Sequence, residues 1–284
     1  MTPASAGTHG TEVLWGASLP GTTLAERVEA ATAAGFGGLS VSPADADPEQ
    51  PGGRGPQEAA AWARDQGVEL LVVDSVIEWY PHEPPKRMLG AGDYTVERVL
   101  DMGRRFGAGS VSALAPFPST APVEELAASF ARLCDQASEH GLDVHLEFTP
   151  FPPVPDLATA WEIVAAAGRA NGGILLDTWH FFRGRPDLEL LAAIPGDRIM
   201  AVQLNDGREG FTESLLKDTF RHRELPGDGC FDLAGVLQVL ARTGGLHRVG
   251  PEVLSVELDA LGPSEAAVQM ARASERVVEA ALGP

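Results

Sequence analysis

Short runs of Val, Ile and Leu recur along the chain at 13–18, 38–43, 69–75, 110–117, 143–148, 173–178, 199–205 and 253–258. Each run is bounded by Gly or Pro and gives way to a stretch whose apolar residues recur with helical spacing. The pattern predicts a strand followed by a helix, repeated along the whole chain. The first helical stretch opens with Thr23-Leu-Ala-Glu26, a capping-box pattern, and closes at Gly35. In the fourth, Leu126, Phe130, Leu133 and Ala137 fall on one apolar stripe. A long Ala- and Val-rich helix over 264–282 ends the series.

Strand-helix alternation implies parallel strands with helices outside, and eight units invite closure into a barrel. The expected fold is therefore a single-domain (β/α)8 TIM barrel over 13–284, preceded by a tail over 1–12. The rival, an open doubly wound sheet, would be favoured by a glycine-rich dinucleotide fingerprint after the first strand. Gly16-Ala-Ser-Leu-Pro-Gly21 is not one. Two connections are long, 76–92 and 206–231, and in a barrel such strand-to-helix loops lie on the catalytic face.

The 284 residues carry 21 Lys+Arg against 40 Asp+Glu, a formal charge of -19. That balance disfavours nucleic acid and anionic membranes as partners, and no basic patch denser than Arg221-His222-Arg223 offsets it. Cys134 and Cys230 lack metal-ligand spacing and are too few for a disulfide framework. The start of the chain lacks the features of a secretion signal, and no apolar run approaches the roughly 20 residues of a membrane span. A cytoplasmic protein is expected, with the exposed last helix leaving a homo-oligomer open.

Polar residues stand at strand ends where alternation aims side chains into the barrel. They are Glu147 in His145-Leu-Glu147, Asp177 in Leu175-Leu-Asp177-Thr-Trp-His180, Gln203 in Val202-Gln203-Leu-Asn205-Asp206, and Glu257 in Ser255-Val-Glu257-Leu. Buried carboxylates cost several kcal/mol unless paired or bound to a metal. No Lys or Arg lies on those four runs, so a cation is called for. Oxygen donors suit one hard divalent ion, Mg²⁺ or Mn²⁺, better than Zn²⁺. His145 shares the inward parity of Glu147 one layer deeper and is expected to orient a ligand. Asn205 is expected beside the site, and Asp206 is expected to cap a loop.

These motifs resemble the xylose isomerase-like barrels, the sugar phosphate isomerase/epimerase group, whose relatives include ketose 3-epimerases, inosose dehydratases and a DNA-repair endonuclease. His145-Leu-Glu147 is similar to the family's metal-binding, proton-moving glutamate. Asp177-Thr-Trp-His180 is similar to its D-x-x-H element, and Arg223-Glu-Leu-Pro-Gly-Asp-Gly229 to its R-x-x-P-G-x-G loop. Gln203 stands where the family often carries histidine, a departure that bears on the preference for zinc or cobalt. The resemblance makes Glu257 the second metal-binding, proton-transferring glutamate.

The resemblance implies a divalent-metal-dependent isomerase or epimerase acting on a small sugar-like or polyol carbonyl compound by enediolate proton transfer. Glu147 and Glu257 would be catalytic. His180 and Arg223 would bind substrate, with Trp79 and Trp179 drawn from an aromatic cluster (Tyr80, Phe117, Phe148, Phe151, Phe181 and Phe182) near the same face. A lyase using the same site, either a dehydratase or a C-glycoside-cleaving enzyme, is the alternative. A DNA-repair endonuclease would need more histidine ligands and a basic face. A non-catalytic binding module would not need acids on these strands. Scarce Lys and Arg argue against a phosphorylated substrate; Lys86-Arg87, the one pair of note, falls in a loop.

Overall fold

The computed structural model describes residues 12–46, 54–81, 94–116 and 119–283. Eight parallel strands follow one another around a barrel in chain order: β1 (Val13–Leu14), β2 (Gly38–Val41), β3 (Glu69–Val76), β4 (Ser110–Leu114), β5 (Asp143–Glu147), β6 (Gly172–Asp177), β7 (Ile199–Leu204) and β8 (Val249–Pro251). The ring closes where Glu12 N donates to Val249 O at 2.7 Å and Trp15 N donates to Pro251 O at 3.3 Å. Apart from Glu12, the tail over 1–12 lies outside the described residues, as do Phe117 and Lys86-Arg87.

The outer layer contains α1 (Leu24–Ala34), α2 (Pro56–Asp65), α3 (Val96–Phe106), α4 (Val123–Glu139), α5 (Leu157–Ala167), α6 (Thr178–Arg183), α7 (Leu188–Ala193), α8 (Leu215–Arg221), α9 (Leu233–Thr243), α10 (Val256–Asp259) and α11 (Pro263–Leu282). The capping box at α1 is present: Thr23 accepts from Glu26 N, and the Glu26 carboxylate accepts from Thr23 N. Gly35 ends that helix in the left-handed conformation, where a side chain would be strained. The α4 stripe of Leu126, Phe130, Leu133 and Ala137 is buried. The last helix packs its apolar face on α1 and α9 within the chain. Among the described residues no helix is long and apolar enough to cross a membrane.

Strand register fixes what points inward. Ser40 pairs with Val72, Val72 with Ser110, Ser112 with His145, Glu147 with Leu175, Asp177 with Gln203, and Gln203 with Gly250. Paired residues in a parallel sheet face the same side, so these positions and their alternates line the interior. Val13, Trp15, Val72, Leu175 and Ala201 form an apolar plug in the middle. Above it, toward the strand C-termini, the inward positions turn polar: Asp74, Glu147, Asp177, Gln203, Asn205 and Glu252.

The eighth strand is displaced from its expected position. The run at 253–258 is not a strand; β8 is Val249–Pro251, and 256–259 belongs to α10. The cause is the barrel seam. A Cβ on Gly250 would lie 1.6 Å from Val13 O, so only glycine allows β1 to approach this closely.

Candidate active site

Asp177 ends β6 and caps α6. Its Oδ1 accepts from Trp179 N at 2.7 Å, His180 N at 3.4 Å and Asn205 Nδ2 at 2.9 Å. With Oδ1 fully used by donors, Oδ2 faces the Arg223 guanidinium, whose Nη1 lies 2.8 Å away. The same Nη1 lies 3.1 Å from Glu252 Oε2, so Arg223 bridges two buried carboxylates. Glu252 directly follows β8, and its Oε1 accepts from Gln203 Nε2 at 2.9 Å. One turn of α6 brings His180 back over the strand ends, with Nε2 3.4 Å from Glu147 Oε1 and 3.5 Å from Asp177 Oδ2. Glu147, Asp177 and His180 offer ligand atoms that all lie within 4.8 Å of one another.

The charges follow from burial. Desolvation, with the charges of Asp74 and Asp177 next in weight, drives the Glu147 carboxyl well above the usual carboxylate range. Desolvation does the same to Glu252, against the pull of Arg223. Burial also opposes ionisation of Asp177, but Arg223 and His180 overcome it and hold that group low. Burial lowers His180 to about 4, leaving its imidazole neutral near pH 7.

The 206–231 connection carries Arg223 into place. Asp206 gathers it: Oδ1 accepts from Gly207 N at 2.8 Å and Phe231 N at 2.9 Å, and Oδ2 from Gly227 N at 3.1 Å. A Cβ on Gly229 would meet Asp206 Oδ1 at 2.3 Å, which explains the last glycine of the R-x-x-P-G-x-G stretch. Asp206 is therefore the loop cap its position suggested. Asn205 is beside the site as expected, bonded to Asp177 and to Glu252 O.

Glu257 does not join this group. It sits on exposed α10, its side chain 67% accessible and 3.5 Å from Arg208 Nη2. The assignment moves to Glu252, only 5% exposed, because strand eight ends at Pro251, seven residues before the end of the apolar run at 253–258. Trp79 and Trp179 are also misplaced as substrate contacts. Trp79 donates to Leu114 O and packs edge-on against Phe130 of α4. Trp179 is fully buried and donates to Thr219 Oγ1 at 2.9 Å, so it supports α8 from behind. Phe151 and Phe220 line the cavity instead. His145 is buried with neither ring nitrogen hydrogen-bonded among the described residues, so it orients no ligand.

A cavity of about 390 Å³ opens over these residues, walled by Glu147, His180, Arg223, Glu252, Asp74 and Arg27. Besides Glu252, two of the six escaped the strand-end reading, although the same signal marks one of them. Asp74 ends the apolar run of β3 just as Glu147 ends that of β5. Arg27 was hidden in a helix; its guanidinium pairs with Asp45 and donates to Thr22 O at 3.0 Å.

The donors suit a divalent cation. The amide oxygen of Gln203 is buried with no hydrogen-bond partner among the described residues, while its Nε2 is committed to Glu252. Four inward carboxyls, Asp74, Glu147, Asp177 and Glu252, face the Arg223 guanidinium, while the wall's other guanidinium, Arg27, is paired with Asp45. A negative excess of that size in a buried site calls for a further positive charge.

Comparison with known proteins agrees with this architecture. A 3-dehydroshikimate dehydratase of Pseudomonas aeruginosa is 29% identical over 225 residues, 78% of this chain and 34% of that protein. An inosose isomerase of Bacillus velezensis is 31% identical over 148 residues, 51% of this chain and 52% of that protein. The chain thus spans about a third of the length of the first and about half of the second. Both relatives are enzymes. The solved IOLI protein, described with a bound zinc atom, superposes with a TM-score of 0.83 at 20% identity, covering 96% of this chain and 100% of that one. Residues 28–274 match the model of the xylose isomerase-like TIM barrels, and the chain belongs to that family.

Proposed function

We propose that this protein is a divalent-metal-dependent isomerase or epimerase that moves a proton on the carbon next to a carbonyl of a small sugar-like or cyclic polyol compound. The observation that carries the reading is the convergence of Glu147, His180, Glu252 and Arg223 on one cavity, with Asp177 paired to Arg223 and grouped with Glu147 and His180, and Gln203 bonded to Glu252. Glu147, Asp177, Glu252 and the free oxygen of Gln203 would hold the ion, with His180 beside them. Oxygen donors favour Mn²⁺ or Mg²⁺. When bound, the ion supplies Lewis-acid withdrawal of charge from the carbonyl.

The rest of the chemistry belongs to the chain. Glu147 on β5 and Glu252 after β8 line the cavity from strands three steps apart around the ring, so one removes a proton and the other delivers one. Burial raises both carboxyls above the ordinary carboxylate range, the direction that a proton carrier needs. Arg223 steadies Asp177 and Glu252 and presents positive charge toward developing oxyanions. Neutral His180 orients a hydroxyl. A second reading, loss of water from the same carbanion, is favoured by the match to a dehydratase along 78% of the chain.

Wash-in of solvent deuterium next to the carbonyl of inosose and of 3-dehydroshikimate tests the common step. Glu147→Gln and Glu252→Gln are expected to lower the exchange rate roughly 100-fold or more. Glu257→Gln is expected to leave it unchanged. Full exchange in either of the first two variants would refute their roles.

A further inference from the structure

Proton transfer between two carbons needs two proton carriers, yet the cavity holds a third acid that this reaction leaves idle. Asp74 lies on β3, two residues before its end at Val76, half-buried in a cavity wall that also includes Ile77 and Leu114. Its Oδ1 accepts from Ser112 Oγ on β4, which fixes the carboxyl plane; its other oxygen takes no hydrogen bond from the described residues. Asp74 lies close enough to Glu147 for its charge to act there second only to burial. Unlike Asp177, it has no guanidinium partner among the described residues.

Its place on the ring matters as much as its surroundings. With the strands in chain order, β3, β5 and β8 are separated by two, three and three steps around the barrel. Asp74, Glu147 and Glu252 therefore surround the cavity rather than cluster on one side of it. A ring-shaped substrate resting between them meets a different carboxyl at each of three edges. Two of these serve carbon, and the third is free to serve oxygen.

We propose that Asp74 is the general acid of a β-elimination, so that the site dehydrates a cyclic hydroxy-ketone. This extends the proton-transfer reading and rests on it. A glutamate removes the proton next to the carbonyl, and the electron pair of that C–H bond forms the new C=C bond. The C–O bond one carbon further breaks with its pair going to oxygen, and the Asp74 carboxyl donates its proton to that oxygen. Water leaves, Asp74 is left as carboxylate, and the proton held by the glutamate returns to it through solvent. The net change is loss of one water, with no oxidant or reductant.

The test uses the metal-loaded full chain with inosose and 3-dehydroshikimate, both cyclic ketones with a hydroxyl beyond the acidic carbon. Deuterium wash-in reports proton removal, and mass spectrometry reports the product lighter by one water. Asp74→Asn keeps an acceptor for Ser112 and removes the acidic proton. It is expected to lower the ratio of elimination to wash-in roughly 100-fold or more relative to the parent. Asp74→Ala is expected to regain elimination when formate is added. Elimination undiminished in Asp74→Asn, or wash-in and elimination falling together with no formate rescue, overturns the assignment. Wash-in without any elimination in the parent overturns it too and leaves the proton-transfer reading standing. Absence of both from the parent ends the two together.

Discussion

Cys134 is fully buried on the inner face of α4, whereas Cys230 sits exposed beyond the Arg223 loop. Burial pushes the Cys134 thiol from 9.0 up to about 12. The folded chain therefore keeps this proton where the unfolded chain has released it. The resulting stability is fully present below about pH 9 and is lost as pH rises toward 12, with an upper bound of about 4 kcal/mol. Two outcomes are expected. Iodoacetamide should modify Cys230 alone in the native chain up to about pH 10 and both thiols in denaturant, counted by mass. Denaturant melts of Cys134→Ala against the parent should show a shallower loss of stability between pH 9 and pH 11.

At the scale of elements, β8 depends on its seam with β1. Gly250 has no room for a methyl group, since Val13 O would stand 1.6 Å from it and both strands are backbone held by the ring. Gly250→Ala is expected to cost upward of about 3 kcal/mol, the top of the usual overpacking range, read as a fall in the denaturation midpoint. The same seam explains what was legible beforehand. Seven strands, the Thr23–Glu26 capping box and the α4 stripe were readable because each is written in local spacing. Gly250 and Pro251 break every local rule for a strand, and their placement answers to β1, more than two hundred residues away in sequence. Glu252 was missed with them, and Glu257, on a plausible apolar run, took its place. The tryptophans failed for a related reason: periodicity locates a loop residue but does not give its direction. Asp74 was within reach, because an acid closing an apolar strand is the signal that identified Glu147.

For the whole molecule, the decisive quantity is the charge enclosed by the barrel. Asp74, Glu147, Asp177 and Glu252 gather at one end of the strands, and the chain as a whole stands at -19. Neighbouring negative charge raises the cost of ionising each acid, so a bound divalent ion relieves the interior of a burden that folding otherwise imposes. An ion that binds the folded chain and not the unfolded one stabilises it by mass action, about 2.7 kcal/mol at a hundredfold excess over Kd. At roughly 2 °C per kcal/mol for a domain of this size, Mn²⁺ should raise Tm by about 5 °C over chelator-treated protein. Asp177→Asn should abolish that rise, because it removes the one carboxylate that Arg223 keeps ionised. Glu257→Gln should keep it in full. A melting curve indifferent to both chelator and Mn²⁺ would mean that the enclosed acids are balanced by protons alone, and the metal would then drop out of the proposed chemistry.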